Sequence, residues 1–162
     1  MIYRVWLAVI ILSLMGPPVM AITPEAARTE LAQANIPYTQ EALVSHVEKG
    51  NMEVVGWFLA IGMEVDASSE FGETGLMLAS EQGHLEMVQL LLVNKADVKA
   101  RDLAKRPALM NAAQHGHTGI VKLLLEWGAG VNAASQWKST ALHEASMNGH
   151  YDVVQKLSLI HI

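Results

Sequence analysis

The sequence predicts an all-α solenoid of about four helix–turn–helix repeats, the last one incomplete. The first observation is a period of 33 residues that separates Gly50, Gly83, Gly116 and Gly149. The second is that further columns share this period, because a leucine stands seven residues before each glycine and a valine five residues after it. Several columns at one spacing indicate a structural repeat.

Each period contains the pattern of two short helices and a loop, as residues 74–92 illustrate. Thr74 is expected to cap the first helix, and Gly83 to end it in a left-handed conformation. The apolar positions follow helical spacing, and they are Leu76, Leu78, Ala79, Met87, Val88, Leu91 and Leu92. A single helix pair cannot bury both of its apolar faces, so we expect the units to stack.

These repeats resemble the ankyrin repeat, whose Thr-Pro-Leu-His-x-Ala and Gly-His pattern has the same period. The most similar copy is Thr-Ala-Leu-His-Glu-Ala at residues 140–145, followed by Gly149-His150. The resemblance implies an ankyrin-type solenoid with hairpin-like loops over residues 37–156. Its repeats span 38–70, 71–103, 104–136 and, in part, 137–156. Residues 22–36 are expected to form a capping helix.

Lys95 stands where the neighbouring repeats have Gly62 and Gly128, which predicts local strain if its φ is positive. The first repeat has His46 where the others have alanine, and Asn51 where they have histidine, so it looks like an end repeat.

Residues 1–21 have the three parts of a secretory signal peptide. A single cation, Arg4, precedes an apolar run from Val5 to Met15, and small residues lead to a cleavage site after Ala21. An uncleaved membrane anchor is the less favoured alternative, because the run is too short for a hydrocarbon core of ~30 Å.

Residues 157–162, Leu-Ser-Leu-Ile-His-Ile, are expected to lie outside the repeat pattern. One back-translation of them resembles the transposon mosaic end that is used in sequencing-library preparation. We therefore expect an adapter-derived tail on a truncated gene, with a natural apolar tail as the alternative.

Composition and motifs exclude several classes of function. Hydrophobic residues make up 51% of the chain and charged residues 17%, which is typical of a folded protein. Without residues 1–21 the chain has 10 Lys and Arg against 16 Asp and Glu, so a nucleic acid partner is not expected. It contains no cysteine, and no pattern of a catalytic nucleophile or phosphate loop. We expect no catalytic residue, metal or cofactor, and no enzyme.

The histidines His84, His117 and His150 recur at the repeat period. Successive layers of packed helices lie ~8–10 Å apart, too far for these rings to share one metal ion. We expect them to hydrogen-bond the backbone between repeats.

The resemblance also implies where a partner binds, since ankyrin-like repeats usually use a concave surface of loop tips and first helices. The corresponding residues are Glu70, Phe71, Glu73, Glu81, Gln82, Lys105, Arg106, Asn111, Gln114, Gln136, Trp137, Lys138, Glu144 and Met147. Phe71 and Trp137 are the expected anchors; the alternative is that each packs on a neighbouring loop. The tips change from acidic in repeat 2 to basic in repeats 3 and 4, which would orient a partner.

The predicted function is a non-catalytic protein–protein interaction module, exported by a bacterium to the periplasm or secreted. The partner protein is not identified by the sequence. An alternative is the substrate-recognition part, or an accessory and stabilising subunit, of an exported enzyme whose catalytic region is missing; another is an effector that acts on host proteins. After signal cleavage we expect no membrane contact, and self-association through the uncapped C-terminal repeat.

Overall fold

The computed structural model describes residues 22–160, and for Ile160 the backbone alone. The predicted signal peptide (1–21) and the last two residues of the predicted tail lie outside this part. Between residues 22 and 160 the chain forms nine α-helices and no β-strand, which confirms the all-α prediction. In chain order they are α1 (Pro24–Gln33), α2 (Gln40–Glu48), α3 (Met52–Ile61), α4 (Gly75–Gln82), α5 (Leu85–Val93), α6 (Ala108–Gln114), α7 (Thr118–Glu126), α8 (Ala141–Met147) and α9 (Tyr151–Ile160).

Eight of these helices form four successive pairs, α2 with α3, α4 with α5, α6 with α7 and α8 with α9. The first helices pack against one another in the order α2, α4, α6, α8. The second helices α5, α7 and α9 pack in a parallel layer. The pairs therefore stack as the predicted solenoid, with one continuous core between the two layers of helices.

The core is built from columns of residues that share the period of the sequence. Phe58, Leu91, Leu124 and Leu157 occupy one such column, and each is fully buried. Burying a side chain of this size contributes about 1.5–3 kcal/mol. Leu157 is the first residue of the predicted tail. The prediction that the repeat pattern ends at residue 156 is wrong for Leu157, because this side chain is fully buried. It continues α9 and fills the same place as its equivalents in the earlier repeats.

Helix α1 packs on α3 and so extends the layer of second helices. It buries Ala27 and Leu31. Its end resembles that of α5, because Asn35 has a φ of 55° as Lys95 has 71°. In both helices the N–H of the next residue donates to a carbonyl near the helix end. Ile36 N–H donates to the Leu31 carbonyl at 2.9 Å, and Ala96 N–H donates to the Leu91 carbonyl at 3.0 Å. α1 therefore occupies the place of a second helix, and within residues 22–160 no first helix precedes it.

The turns between helices agree with two sequence expectations and correct a third. Gly83 ends α4 with a φ of 80°, and Lys95 has the positive φ that the pattern of its neighbours predicts. Thr74 stands at the N-cap of α4, but its side chain makes no capping bond and its Oγ1 is buried without a partner. Thr39 does cap α2, accepting from Ala42 N–H at 3.2 Å.

Candidate partner-binding surface

Three loop tips of the same construction precede the first helices of repeats 2, 3 and 4. We name them tip A (residues 69–73), tip B (102–106) and tip C (135–139). In each tip the first N–H donates to the carbonyl of the fifth residue, at 2.9, 3.1 and 2.9 Å respectively. The fourth N–H donates back to the first carbonyl at 2.9 Å in all three. Each tip is thus a closed, hydrogen-bonded turn.

Polar side chains hold the tips further. The Ser69 hydroxyl accepts from the N–H groups of Phe71 (3.2 Å) and Glu73 (3.3 Å). The equivalent Ser135 accepts from Trp137 N–H at 3.3 Å. The backbone that carries each aromatic side chain is therefore positioned before any partner arrives, which reduces the entropy lost on binding.

Backbone hydrogen bonds also join the tips to one another. Leu103 N–H donates to the Phe71 carbonyl at 3.1 Å, and Gln136 N–H to the Ala104 carbonyl at 2.9 Å. Arg101 Nη1 donates to the Ala134 carbonyl at 2.9 Å. The three tips consequently form one continuous edge.

Large apolar side chains are exposed along this edge. Phe71 is 62% exposed and Trp137 is 69% exposed, so the alternative that they pack on neighbouring loops is wrong. Leu103 is exposed to a similar degree, as is Met147 at the end of α8. Leu103 is absent from the sequence-based set, although it falls in the same column as Glu70 and Gln136 and could have been found by that rule.

The tips connect to the first helices through side-chain contacts. The guanidinium of Arg106 in tip B donates to the side-chain oxygen of Gln114 at the end of α6. The Ser139 hydroxyl in tip C donates to Glu144 Oε1 in α8 at 2.7 Å. We call the surface made by the three tips and the adjoining first helices the tip face.

Thirteen of the fourteen predicted residues lie at least partly exposed on the tip face. The exposed ones are Glu70, Phe71, Gln82, Lys105, Gln136, Trp137, Lys138 and Met147. The half-buried ones are Glu73, Glu81, Arg106, Gln114 and Glu144.

Asn111 is the exception, and its predicted exposure is wrong. It is 2% exposed. Its position on α6 turns it into the packed layer of first helices, where Nδ2 lies 3.5 Å from the Met77 carbonyl. Its Oδ1 is buried without a hydrogen-bond partner. A direct contact with a partner is therefore not expected of Asn111.

A groove lies between α2 and tip A, at the N-terminal end of the tip face. It encloses about 720 Å³. Its lining includes four carboxylate residues, Glu41, Glu48, Glu70 and Glu73. It also includes the apolar residues Val44, Leu78 and Phe71. We call it the acidic groove. Glu41, Val44 and Glu48 are absent from the set predicted from the sequence, because repeat 1 was taken as an end repeat. Glu48 could have been predicted, since it shares a column with Glu81 and Gln114, which belong to that set.

The recurring histidines join successive repeats behind the tip face. Nε2 of His84 lies 3.0 Å from the Glu48 carbonyl, that of His117 lies 2.9 Å from the Glu81 carbonyl, and that of His150 lies 2.8 Å from the Gln114 carbonyl. These bonds confirm the prediction that the histidines bind backbone between repeats. They use the last carbonyls of the first helices, which have no partner within their own helix.

A family model described as ankyrin repeats (3 copies) matches residues 25–102 and again residues 100–161. The chain belongs to the ankyrin repeat family. Ankyrin repeats generally mediate protein–protein interaction and are typically non-catalytic. A comparison with curated proteins found no match.

Two further observations on this ankyrin repeat protein concern metals and membranes. Between residues 22 and 160, no three or more His, Asp or Glu side chains are grouped so that they could hold a metal ion. The His115 and His117 rings stack 6.1 Å apart, but each has a ring nitrogen engaged with a backbone carbonyl. In the same part of the chain, every helix is too short or too polar to cross a bilayer.

Proposed function

We propose that this ankyrin repeat protein is a non-catalytic module that binds a partner protein through the tip face. The observation that carries the proposal is the exposure of four large apolar side chains on a backbone held by hydrogen bonds. They are Phe71, Leu103, Trp137 and Met147. Aromatic side chains on a preorganised surface are the common anchors of protein interfaces.

The size of the tip face suits a stable complex. A standard interface buries ~800 Å² on each partner, typically with about 20–30 residues a side, so a partner is expected to span more than one tip. Phe71 and Trp137 occupy equivalent positions two repeats apart, with Ala104 between them. A partner that spans both aromatic residues would bury Leu103 and Ala104 as well.

The proposed location is the periplasm or the exterior of a bacterial cell. Its support is the signal-peptide pattern of residues 1–21, in which Val19 and Ala21 stand third and first before the predicted cleavage site. Expression with residues 1–21 in a bacterial host tests it. Export is expected to give a processed protein that begins at Ile22 by N-terminal sequencing, and retention of unprocessed protein in the cytoplasm would contradict it.

Affinity capture from periplasmic extract tests the binding surface. We expect the double variant Phe71→Ala, Trp137→Ala to reduce recovery of the partner at least about tenfold, since interface anchors of this type contribute ~2 kcal/mol or more each. Trp127→Ala is the matched control, because Trp127 is partly exposed at the end of the second helix α7. Equal recovery of every captured protein by the wild type and the double variant would refute the tip face as the binding surface.

The identity of the captured protein separates the narrower alternatives. If it is an exported enzyme whose activity or half-life rises when the ankyrin protein is added, the module is an accessory subunit. If it is not an enzyme, that narrower role is excluded.

A further inference from the structure

The acidic groove differs from the rest of the tip face in the charge that it presents. We propose that it binds a segment of the partner protein that carries lysine or arginine side chains. This inference rests on the proposed function, because the groove forms the N-terminal end of the tip face.

The carboxylates of the groove are not neutralised by the protein itself. The one salt bridge within residues 22–160 joins Lys122 to Glu126, at 3.9 Å, so the carboxylates that line the groove have no ion pair there. Glu73 Oε2 accepts one hydrogen bond, from the Ser69 hydroxyl at 3.1 Å. Like charges grouped on one concave surface repel one another, and a cationic partner relieves this repulsion.

The walls of the groove match the aliphatic stem of a lysine or arginine. Val44 and Leu78 are buried beneath it, with 9% and 8% of their surface exposed, and the exposed Phe71 lines the same groove. A long cationic side chain lays its methylene groups on apolar surface and keeps its charged end among polar groups. The Phe71 ring adds an attraction for a cation over its face. A free inorganic cation would use the carboxylates but gain nothing from these apolar walls.

Charge along the solenoid favours this end of the tip face for a cationic segment. Within the tip face, the acidic residues Glu41, Glu48, Glu70 and Glu73 lie together at the N-terminal end, around the groove. Tips B and C present Lys105 and Lys138, both exposed. The potential thus changes sign along the tip face, which would orient a partner with its basic segment over the first repeat.

A random-peptide phage library selected on the purified protein tests the proposal without knowledge of the partner. We expect the selected peptides to be enriched in lysine and arginine relative to the unselected library, and to include apolar residues beside them. Their binding, measured by fluorescence anisotropy with the synthetic peptides, should weaken as the salt concentration rises.

Two triple variants of equal charge change locate the binding. The groove variant carries Glu41→Gln, Glu48→Gln and Glu70→Gln, all at exposed positions. The control variant carries Glu53→Gln, Glu64→Gln and Glu86→Gln, also exposed and outside the groove lining. Glu41 of the groove variant lies in the first turn of a helix, as do Glu53 and Glu86 of the control variant, so the control should lose at least as much helix stability as the groove variant. We expect affinity for the cationic peptides to fall about tenfold in the groove variant and less than about twofold in the control.

The outcomes separate this proposal from the proposed function. Selected peptides without a basic bias that still lose binding with Phe71→Ala would overturn the cationic inference and leave the tip face in place. Peptides that bind equally to wild type, the groove variant and the double variant Phe71→Ala, Trp137→Ala would overturn both. Equal loss of affinity in the two triple variants would show a general charge effect and overturn the groove as the site. A thermal unfolding midpoint for each variant establishes that it is folded.

Discussion

The ring of His117 lies directly against Gly83 of the preceding repeat. Its Nε2 is 2.9 Å from the Glu81 carbonyl, and a Cβ on Gly83 would come within 2.6 Å of its Cε1. Gly50 with His84 and Gly116 with His150 are in the same relationship. The glycine supplies both a positive φ, 80° at Gly83, and the space that the next repeat's histidine fills.

Gly83→Ala is therefore expected to destabilise the protein by roughly 2–4 kcal/mol, from the left-handed backbone and from overpacking together. The His117 ring cannot turn away from the new methyl group without losing its bond to the Glu81 carbonyl. Urea unfolding monitored by circular dichroism measures the change in the free energy of unfolding.

Gly149→Ala is the matched control for this experiment. Gly149 has a similar φ of 74°, but nothing in the described residues lies within 4 Å of a Cβ placed there. Its substitution should cost only the left-handed strain, about 1–2 kcal/mol. In a double-mutant cycle, His117→Ala should remove part of the cost of Gly83→Ala. Additive effects of Gly83→Ala and His117→Ala would contradict the proposed packing.

Lys95→Gly is expected to stabilise the protein. Lys95 is exposed and has a φ of 71°, a conformation that costs a residue with a Cβ about 1–2 kcal/mol. Glycine loses about 0.4–1 kcal/mol more than lysine through the entropy of the unfolded chain. The expected net gain is about 0.5–1 kcal/mol, read as a rise in the thermal midpoint.

The control is Lys99→Gly, at an exposed position outside the positive-φ set. There the entropic effect acts alone, so this variant should be less stable than the wild type. Equal effects of the two substitutions would show that backbone strain at Lys95 is negligible.

The stability of the protein is expected to fall as the pH falls below about 6.5 because of His46. Burial, and secondarily the charge of Lys49, lower the pKa of His46 from its usual 6.5. Its Nδ1 is buried without a partner and its ring lies 6.5 Å from that of Phe58. Below pH 6.5 the unfolded chain takes up a proton that the folded chain does not, so stability is full above this pH and declines until the folded-state pKa is passed.

His46→Ala provides the comparison, because Ala79, Ala112 and Ala145 occupy this column in the other repeats. The drop in thermal midpoint between about pH 8 and about pH 5.5 should be smaller in this variant than in the wild type. An equal drop in both proteins would assign the pH dependence to other groups.

Helices α8 and α9 are expected to be the least protected pair in amide hydrogen exchange. Among the described residues they pack against one neighbouring pair alone, and they expose Met147, Tyr151 and Leu159. An open apolar end of a repeat stack frays or associates with another copy. Protection in residues 141–160 equal to that in α4–α7, in a protein that sedimentation shows to be monomeric, would contradict this.

The double variant Tyr151→Lys, Leu159→Lys tests whether copies associate through the exposed apolar residues of α9. If copies associate through it, the double variant should shift the sedimentation profile towards the monomer. The matched variant Tyr38→Lys, at an exposed residue next to α2, should leave the profile unchanged.

One difference between the repeats has a direct physical explanation. The His84 ring reaches the Glu48 carbonyl of the preceding repeat, and its side chain makes no capping bond within its own helix. Asn51 occupies the same column in repeat 1, and among the described residues no first helix precedes α1 to offer such a carbonyl. Its Oδ1 instead caps α3, accepting from Val54 N–H at 3.3 Å. Asn51 thus caps its own helix, whereas the histidines in this column bind the preceding repeat.

The sequence by itself determined the number of helix pairs, their order and the core columns. It could do so because a 33-residue repeat places each column in the same environment, so that four partial signals support one another. The histidine contacts followed from the same logic. Leu157 was missed because residues 157–162 were assigned to a tail as one segment, although the column of Phe58, Leu91 and Leu124 predicts an apolar residue at this position.

Only the tertiary structure decided which members of a column meet solvent. Asn111 is buried and Glu144, one repeat later, is half-buried, although the sequence assigns both to the same position. The acidic groove also arises between α2 and tip A, about thirty residues apart along the chain, and no local pattern describes it. Exposure and concavity depend on how successive units pack, and that packing is a property of neighbouring repeats together.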